Sequence, residues 1–186
     1  MKKLVTNTFL ININLAFFFG IILVTGCNNN PKTFIYKDNV EITLSPKLYL
    51  ESSIIYNNKN EKVGELAGFF TPLKSISFLE YLEMYKKGEG EIQTQEGITL
   101  TFYGMYEELP DIIRIDSVQL TNYKWYFFIE KTIYESDDGN WGYWNAYRFM
   151  TFENDKILFI TFYDKEIEND KSDYFINIIE TVKIKY

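Results

Sequence analysis

The sequence predicts an α+β fold: an antiparallel β-sheet, built as a meander of aromatic-rich hairpins, with helices covering it. Three observations carry that expectation. Phe, Tyr and Trp make up 18% of the 186 residues, a supply of large rings that has to be buried. Trp125-Tyr126-Phe127-Phe128-Ile129 and Ile157-Leu158-Phe159-Ile160 are apolar at every position, so that part of the sheet needs cover on both faces. Two segments of helical periodicity, near 77–87 and 172–182, are available as the covers.

The elements follow in order. Val40-Glu41-Ile42-Thr43-Leu44 alternates strictly and predicts a strand with Val40, Ile42 and Leu44 on one face. Ser45-Pro46 ends it. Residues 52–57 and 63–70 read as a hairpin around the turn formers Asn57-Asn58-Lys59-Asn60. Thr71-Pro72 then breaks the sheet. Ser77 followed three residues later by Glu80 is a capping box. It opens a helix in which Phe78, Leu82 and Tyr85 recur at helical spacing, with Leu79 alongside, and Gly88 stops it.

Residues 91–105 read as a strand pair, or one long strand, around Gly97. In the next strand Ile113, Ile115 and Ser117 share a face, with Arg114 and Asp116 opposite. Three aromatic-rich strands come next, at 123–135, 142–153 and 156–164. They are joined by the turn sequences Asp137-Asp138-Gly139-Asn140 and Asn154-Asp155. Ser172 is placed to cap a closing amphipathic helix that carries Tyr174, Phe175, Ile178, Ile179 and Val182.

Composition excludes much chemistry. Histidine is absent and cysteine occurs once. A Ser-His-Asp triad, a Cys-His pair, a His-ligated haem and a His- or Cys-based zinc site all lack their parts. No disulfide can form within one chain. No metal or cofactor is expected, and the remaining catalytic vocabulary is carboxylates, hydroxyls, lysines and two arginines.

The N-terminus reads as an address. Lys2 and Lys3 precede the apolar run Leu15–Val24. Ten residues of helix reach only about 15 Å, half of a hydrocarbon core, so the run suits a signal peptide better than a membrane span. Val24-Thr25-Gly26-Cys27 closes it. That tetrad resembles the lipobox of bacterial lipoprotein precursors. The resemblance implies cleavage between Gly26 and Cys27, with acylation of the Cys27 sulfur and of the new amino group. Residues 1–26 are then a signal peptide, 27–33 the lipidated cysteine and a polar tether, and 34–186 one globular domain. Such a protein is exported and lipid-anchored to a cell-envelope membrane, the outer one where the envelope has two.

Cleavage removes two lysines and no acid, leaving 17 basic against 26 acidic residues, a charge of −9. That balance disfavours nucleic acid, whose phosphates need a basic footprint. It equally disfavours adhesion to anionic lipid, so the membrane is expected as a partner only through Cys27.

The order of elements, with Ser77-Phe78-Leu79-Glu80-Tyr81-Leu82 after the early hairpin, resembles the PsbP/Mog1-like fold. So does the closing segment Asp173–Lys183, where an aromatic precedes an aliphatic pair. The resemblance implies an α/β/α sandwich over the mature domain. It also implies an accessory role, since that fold's members are mostly accessory proteins with no shared catalytic residue.

The candidate chemistry is thin. Glu135–Asn140 carries oxygen ligands, but without EF-hand spacing it reads as a solvated hairpin tip. Glu107, Glu108 and Asp111 could in principle form a glycosidase-like pair, and read better as surface charge. Trp141, Tyr143 and Trp144, on the shoulder of a hairpin, are the candidate partner-binding cluster, either a contact anchor or a sugar-stacking platform. Against this stands plain core packing of alternate rings. The expected function is therefore a non-enzymatic accessory domain that binds an unidentified envelope protein. A carbohydrate or small-ligand binder is the alternative, and a carboxylate-based hydrolase comes third.

Overall fold

A seven-stranded antiparallel sheet organises the folded unit. The computed structural model describes residues 30–37, 39–102, 111–135, 141–166 and 168–185. The chain divides into two units, Met1–Pro31 and Lys32–Tyr186, and all regular structure among the described residues belongs to the second.

The strands are β1 (Lys32–Tyr36), β2 (Val40–Leu44), β3 (Leu48–Glu51), β4 (Ile54–Asn57) and β5 (Lys62–Phe70), followed by helix α1 (Phe78–Lys87). Then come β6 (Glu91–Gln93), β7 (Thr99–Thr101), β8 (Asp111–Gln119), β9 (Lys124–Glu135), β10 (Trp141–Glu153) and β11 (Lys156–Asp164). Helix α2 (Ser172–Ile179) and β12 (Lys183–Ile184) close the chain. The main sheet has the order β3-β4-β5-β11-β10-β9-β8, beside a three-stranded sheet β1-β2-β12 and a two-stranded ribbon β6-β7. The tether expected to end at residue 33 gives way to β1 at Lys32.

Local chemistry explains the strongest elements. Ser77 and Glu80 form the capping box in both directions, and Gly88 ends α1 with φ 61°, the left-handed value glycine adopts without a Cβ penalty. Asn57 holds the β4–β5 turn by accepting the Lys59 and Glu61 N–H groups on its Oδ1. Asn154 and Asp155, both at positive φ, make the tight β10–β11 turn. Around Gly97 (φ 77°) the chain forms a strand pair and not one long strand.

The double cover is present, but helices are not what mainly supplies it. On one face of the sheet lie Trp125, Phe127 and Ile129 of β9, Tyr147 and Phe149 of β10, and Leu158, Ile160 and Phe162 of β11. They pack under β2, β12 and α2, where Val40, Ile42 and Leu44 are fully buried and Phe175 stacks on Phe162 at 4.6 Å. Thr181 ties the two covers together: its hydroxyl accepts the Thr43 N–H at 3.0 Å. On the other face Phe128, Met150, Ile157 and Phe159 pack under α1 and the β6–β7 ribbon.

The expected α+β sandwich is therefore corrected to a predominantly β fold. Strands hold 56% of the described residues and two helices 13%. Geometry gives the reason. Seven strands span roughly 29 Å at their usual spacing, whereas helices of 10 and 8 residues reach only about 15 and 12 Å. Small sheets complete the cover on both faces, so the layers over the main sheet are not the helical ones that the expected PsbP/Mog1-like α/β/α sandwich requires.

Two local expectations are corrected as well. Ser172 does not cap α2: it is the first helical residue, the cap position is Lys171, and Asp170 accepts both the Ser172 N–H at 2.8 Å and the Ser172 hydroxyl. In β8 a register shift between Ile112 and Arg114 leaves Ile113 without a partner on β9. Ile112, Ile115 and Ser117 consequently oppose Glu130, Phe128 and Tyr126 of the second face.

Candidate functional site

The second face of the sheet carries a buried polar network where α1 ends. Glu130 of β9 is 2% exposed. Arg148 of β10 reaches it diagonally, with Nε at 2.6 Å and a terminal nitrogen at 2.5 Å from the same carboxylate oxygen. Tyr85, near the end of α1, donates its hydroxyl to the other oxygen at 2.5 Å, and the guanidinium lies 5.4 Å from the Tyr85 ring centre. Burial pushes the Tyr81 hydroxyl up to about 12 and drives Tyr85 well above the usual phenol range. Burial opposes the charge on Arg148, but Glu130 and Tyr85 outweigh it and fix the guanidinium as a cation. Tyr81, Tyr85 and Arg148 thus all keep their protons near neutral pH, which suits a structural clamp and not proton transfer.

A second acid on this face is also occupied. Glu65 of β5 accepts from Lys62 at 2.8 Å and from the Tyr163 hydroxyl at 2.7 Å. Burial tends to raise its carboxyl, yet these two hydrogen bonds hold it below the ordinary value of 4.5. Near the start of α2, Lys171 bridges Asp164 and Glu166 at 2.9 and 3.0 Å. Among the described residues no group of three or more acid or thiol side chains is placed to hold a metal ion.

The structure divides the aromatic candidates. Tyr143 and Trp144 are successive residues of β10 and project to opposite faces. Tyr143 is 55% exposed beside its cross-strand partner Ile133, 54% exposed, with the Lys131 ammonium 4.7 Å from its ring. Trp144 is 6% exposed, under Lys165 at 4.8 Å. Trp141 pairs with Glu135 at the start of β10, and its side chain is not among those described. The acids Glu107 and Glu108, the turn 136–140, and Gly26 with Cys27 lie outside the described residues. Asp111 opens β8 opposite Lys131.

A surface that sequence reasoning missed lies along α1. Leu79 is 69% exposed, although its neighbours Phe78, Tyr81 and Leu82 are buried. It belongs to two grooves. The larger, of about 600 Å³, is lined mainly by Leu73, Ile76, Met84 and Ile92, with Glu80, Glu83 and Glu91 among its acids and Lys74 its lysine. The smaller, of about 420 Å³, runs between the start of α1 and strand β8, against Ile115, Ser117 and Tyr126. One signal was available: Leu79 stands about 100° around the helix from Phe78 and about 60° from Leu82, with Glu80 next to it and Glu83 one turn on.

Among the described residues no helix is long and apolar enough to cross a membrane. Neither a protein-family model nor a curated protein matches this sequence.

Proposed function

We propose that this chain is a lipid-anchored, non-enzymatic binding domain of a bacterial cell envelope. The observation that carries the reading is the tetrad Val24-Thr25-Gly26-Cys27 directly after a short apolar run. In sequence, Asn28-Asn29-Asn30-Pro31 follows Cys27 and has the polar character that the tether of an anchored domain requires. Acyl chains on the cysteine supply more than the two signals that stable anchoring takes.

The non-enzymatic half is supported by how the buried acids are used. Glu130 is engaged by Arg148 and Tyr85, and Glu65 by Lys62 and Tyr163. Neither is an open carboxylate facing a second acid across a cleft. A binding role is supported by the exposed apolar residues Leu73, Leu79 and Ile115, which share two neighbouring grooves.

The carbohydrate-binding alternative draws on the exposed Tyr143. Trp144 turns inward, so these two rings do not make one platform. Tyr49 and Tyr56 are stacked ring on ring at 5.4 Å and do not lie side by side. Fractionation tests the anchored reading. The full-length protein expressed in bacteria should stay with the membrane through high salt and alkaline carbonate, and Cys27→Ser should not leave a processed, membrane-bound chain. Release of the wild-type protein by salt alone would contradict it.

A further inference from the structure

We propose that the outer edge of β8, with the groove between β8 and α1, captures an extended cationic segment of another envelope protein by strand addition. The inference rests on reading the chain as a binding domain and names the site and the class of partner.

The backbone geometry comes first. β8 ends the seven-stranded sheet, and among the described residues no strand lies beyond it. The Leu120 N–H donates to the Tyr123 carbonyl at 3.1 Å, and the same register pairs Gln119 with Lys124 and Ser117 with Tyr126. Bonded and non-bonded pairs alternate in an antiparallel ladder. Ile115, Ser117 and Gln119 are therefore the non-bonded positions, and their N–H and C=O groups point away from β9. One of these groups reports its own direction: the Ser117 N–H donates to the carboxylate of Asp116 at 2.8 Å. An aspartate one residue back thus occupies the place that a partner strand's carbonyl would take. Asp116 is held there by Arg114 at 2.6 Å, and Arg114 in turn by Asp170 at 2.9 Å.

The side chains agree with the backbone. Ile115 and Ser117 line the groove whose other wall is Ser77, Phe78 and Leu79. An added strand would drop alternate side chains into that groove against Leu79 and Ile115, the arrangement in which main-chain bonds give affinity and pockets give specificity. Charge selects the occupant. Glu80, Glu83 and Glu91 line the larger groove, which meets this one at Leu79, against the single lysine Lys74, and the whole chain carries −7. A segment alternating apolar residues with lysine or arginine is complementary, and an acidic one is repelled. A second copy of this chain would bring the same acids to the edge.

The test uses full-length protein in detergent micelles and a short fluorescein-labelled peptide alternating valine and lysine, read by anisotropy. The valine–lysine peptide should bind at least about tenfold tighter than its valine–glutamate counterpart. Ser117→Pro removes one outward N–H without touching the β9 ladder, a change tolerated at sheet edges, and should weaken binding at least about tenfold. Asp116→Ala should strengthen it. Two peptides N-methylated on alternate residues, in opposite phase, ask the same question without altering the protein. One phase should retain binding and the other lose it.

Binding unaffected by Ser117→Pro, equal behaviour of the two methylated phases, or no capture by the wild-type protein would overturn the proposal. So would self-association through β8 that excludes the peptide. Mass measurement of Cys27 in the same preparation keeps the two claims apart. An unacylated Cys27 with intact peptide capture counts against the anchor alone, and the reverse counts against this site alone.

Discussion

Arg148 clasps Glu130 diagonally across the β9–β10 pair, with two of its nitrogens within 2.6 Å of one carboxylate oxygen and Tyr85 completing the other. Removing one member of a buried pair leaves an uncompensated charge, which costs about 3–5 kcal/mol, whereas replacing both members by apolar groups is often neutral. Arg148→Met should therefore be strongly destabilised in urea, and Arg148→Met with Glu130→Leu should recover most of the loss. A single mutant within about 0.5 kcal/mol of wild type would show that the clasp contributes little.

Alkaline stability should report Tyr81. Its folded value of about 12 lies above the ordinary 10.0 because burial penalises the phenolate. The unfolded chain therefore loses its proton first. The stabilising contribution is complete below pH 10 and is lost as pH rises toward about 12, by up to roughly 2–3 kcal/mol. Urea midpoints measured across that window should fall more steeply for wild type than for Tyr81→Phe. Identical slopes would mean that this hydroxyl does not drive the loss.

Neighbouring aromatic residues of β10 should behave oppositely. Trp144 is buried, so Trp144→Ala should cost about 3–5 kcal/mol. Tyr143 is more than half exposed, so Tyr143→Ala should stay within about 0.5–1 kcal/mol of wild type. Thermal melts of the two variants side by side decide it, and equal losses would contradict the alternation assigned to this strand.

The C-terminal segment should be indispensable. Phe175, Ile178, Ile179, Val182 and Ile184 are all buried against the first face of the sheet. Each large side chain contributes about 1.5–3 kcal/mol, in a fold whose total is typically about 5–15 kcal/mol. Deleting residues 172–186 should abolish the cooperative unfolding transition, and an unchanged transition would make α2 and β12 appendages.

Features with short-range causes were legible in the sequence. Ser77 with Glu80, Gly88, Asn57 and the Asn154-Asp155 turn each settle a boundary through groups a few residues apart. The doubly apolar run at Trp125–Ile129 announced the two-sided cover. What covers the sheet was not legible, because β12 has two residues and pairs with β2 only through a contact about 140 positions away in sequence. The cap of α2 misled because Asp170 and Ser172 are both capping residues, and only the fold shows that the aspartate accepts. The bulge at Ile113 left no local signal. The partner surface was hidden for a related reason: an open strand edge is a property of sheet order, and β8 becomes an edge only once β9 pairs with β10 on its far side.

Fatty-acid labelling of growing bacteria that express the full-length chain tests the anchored reading most directly. Wild-type protein should carry the label on Cys27 and run as a chain lacking residues 1–26. Cys27→Ala should be unlabelled and keep those residues. A labelled Cys27→Ala protein, or an unlabelled wild-type protein of full length, would contradict the lipid anchor.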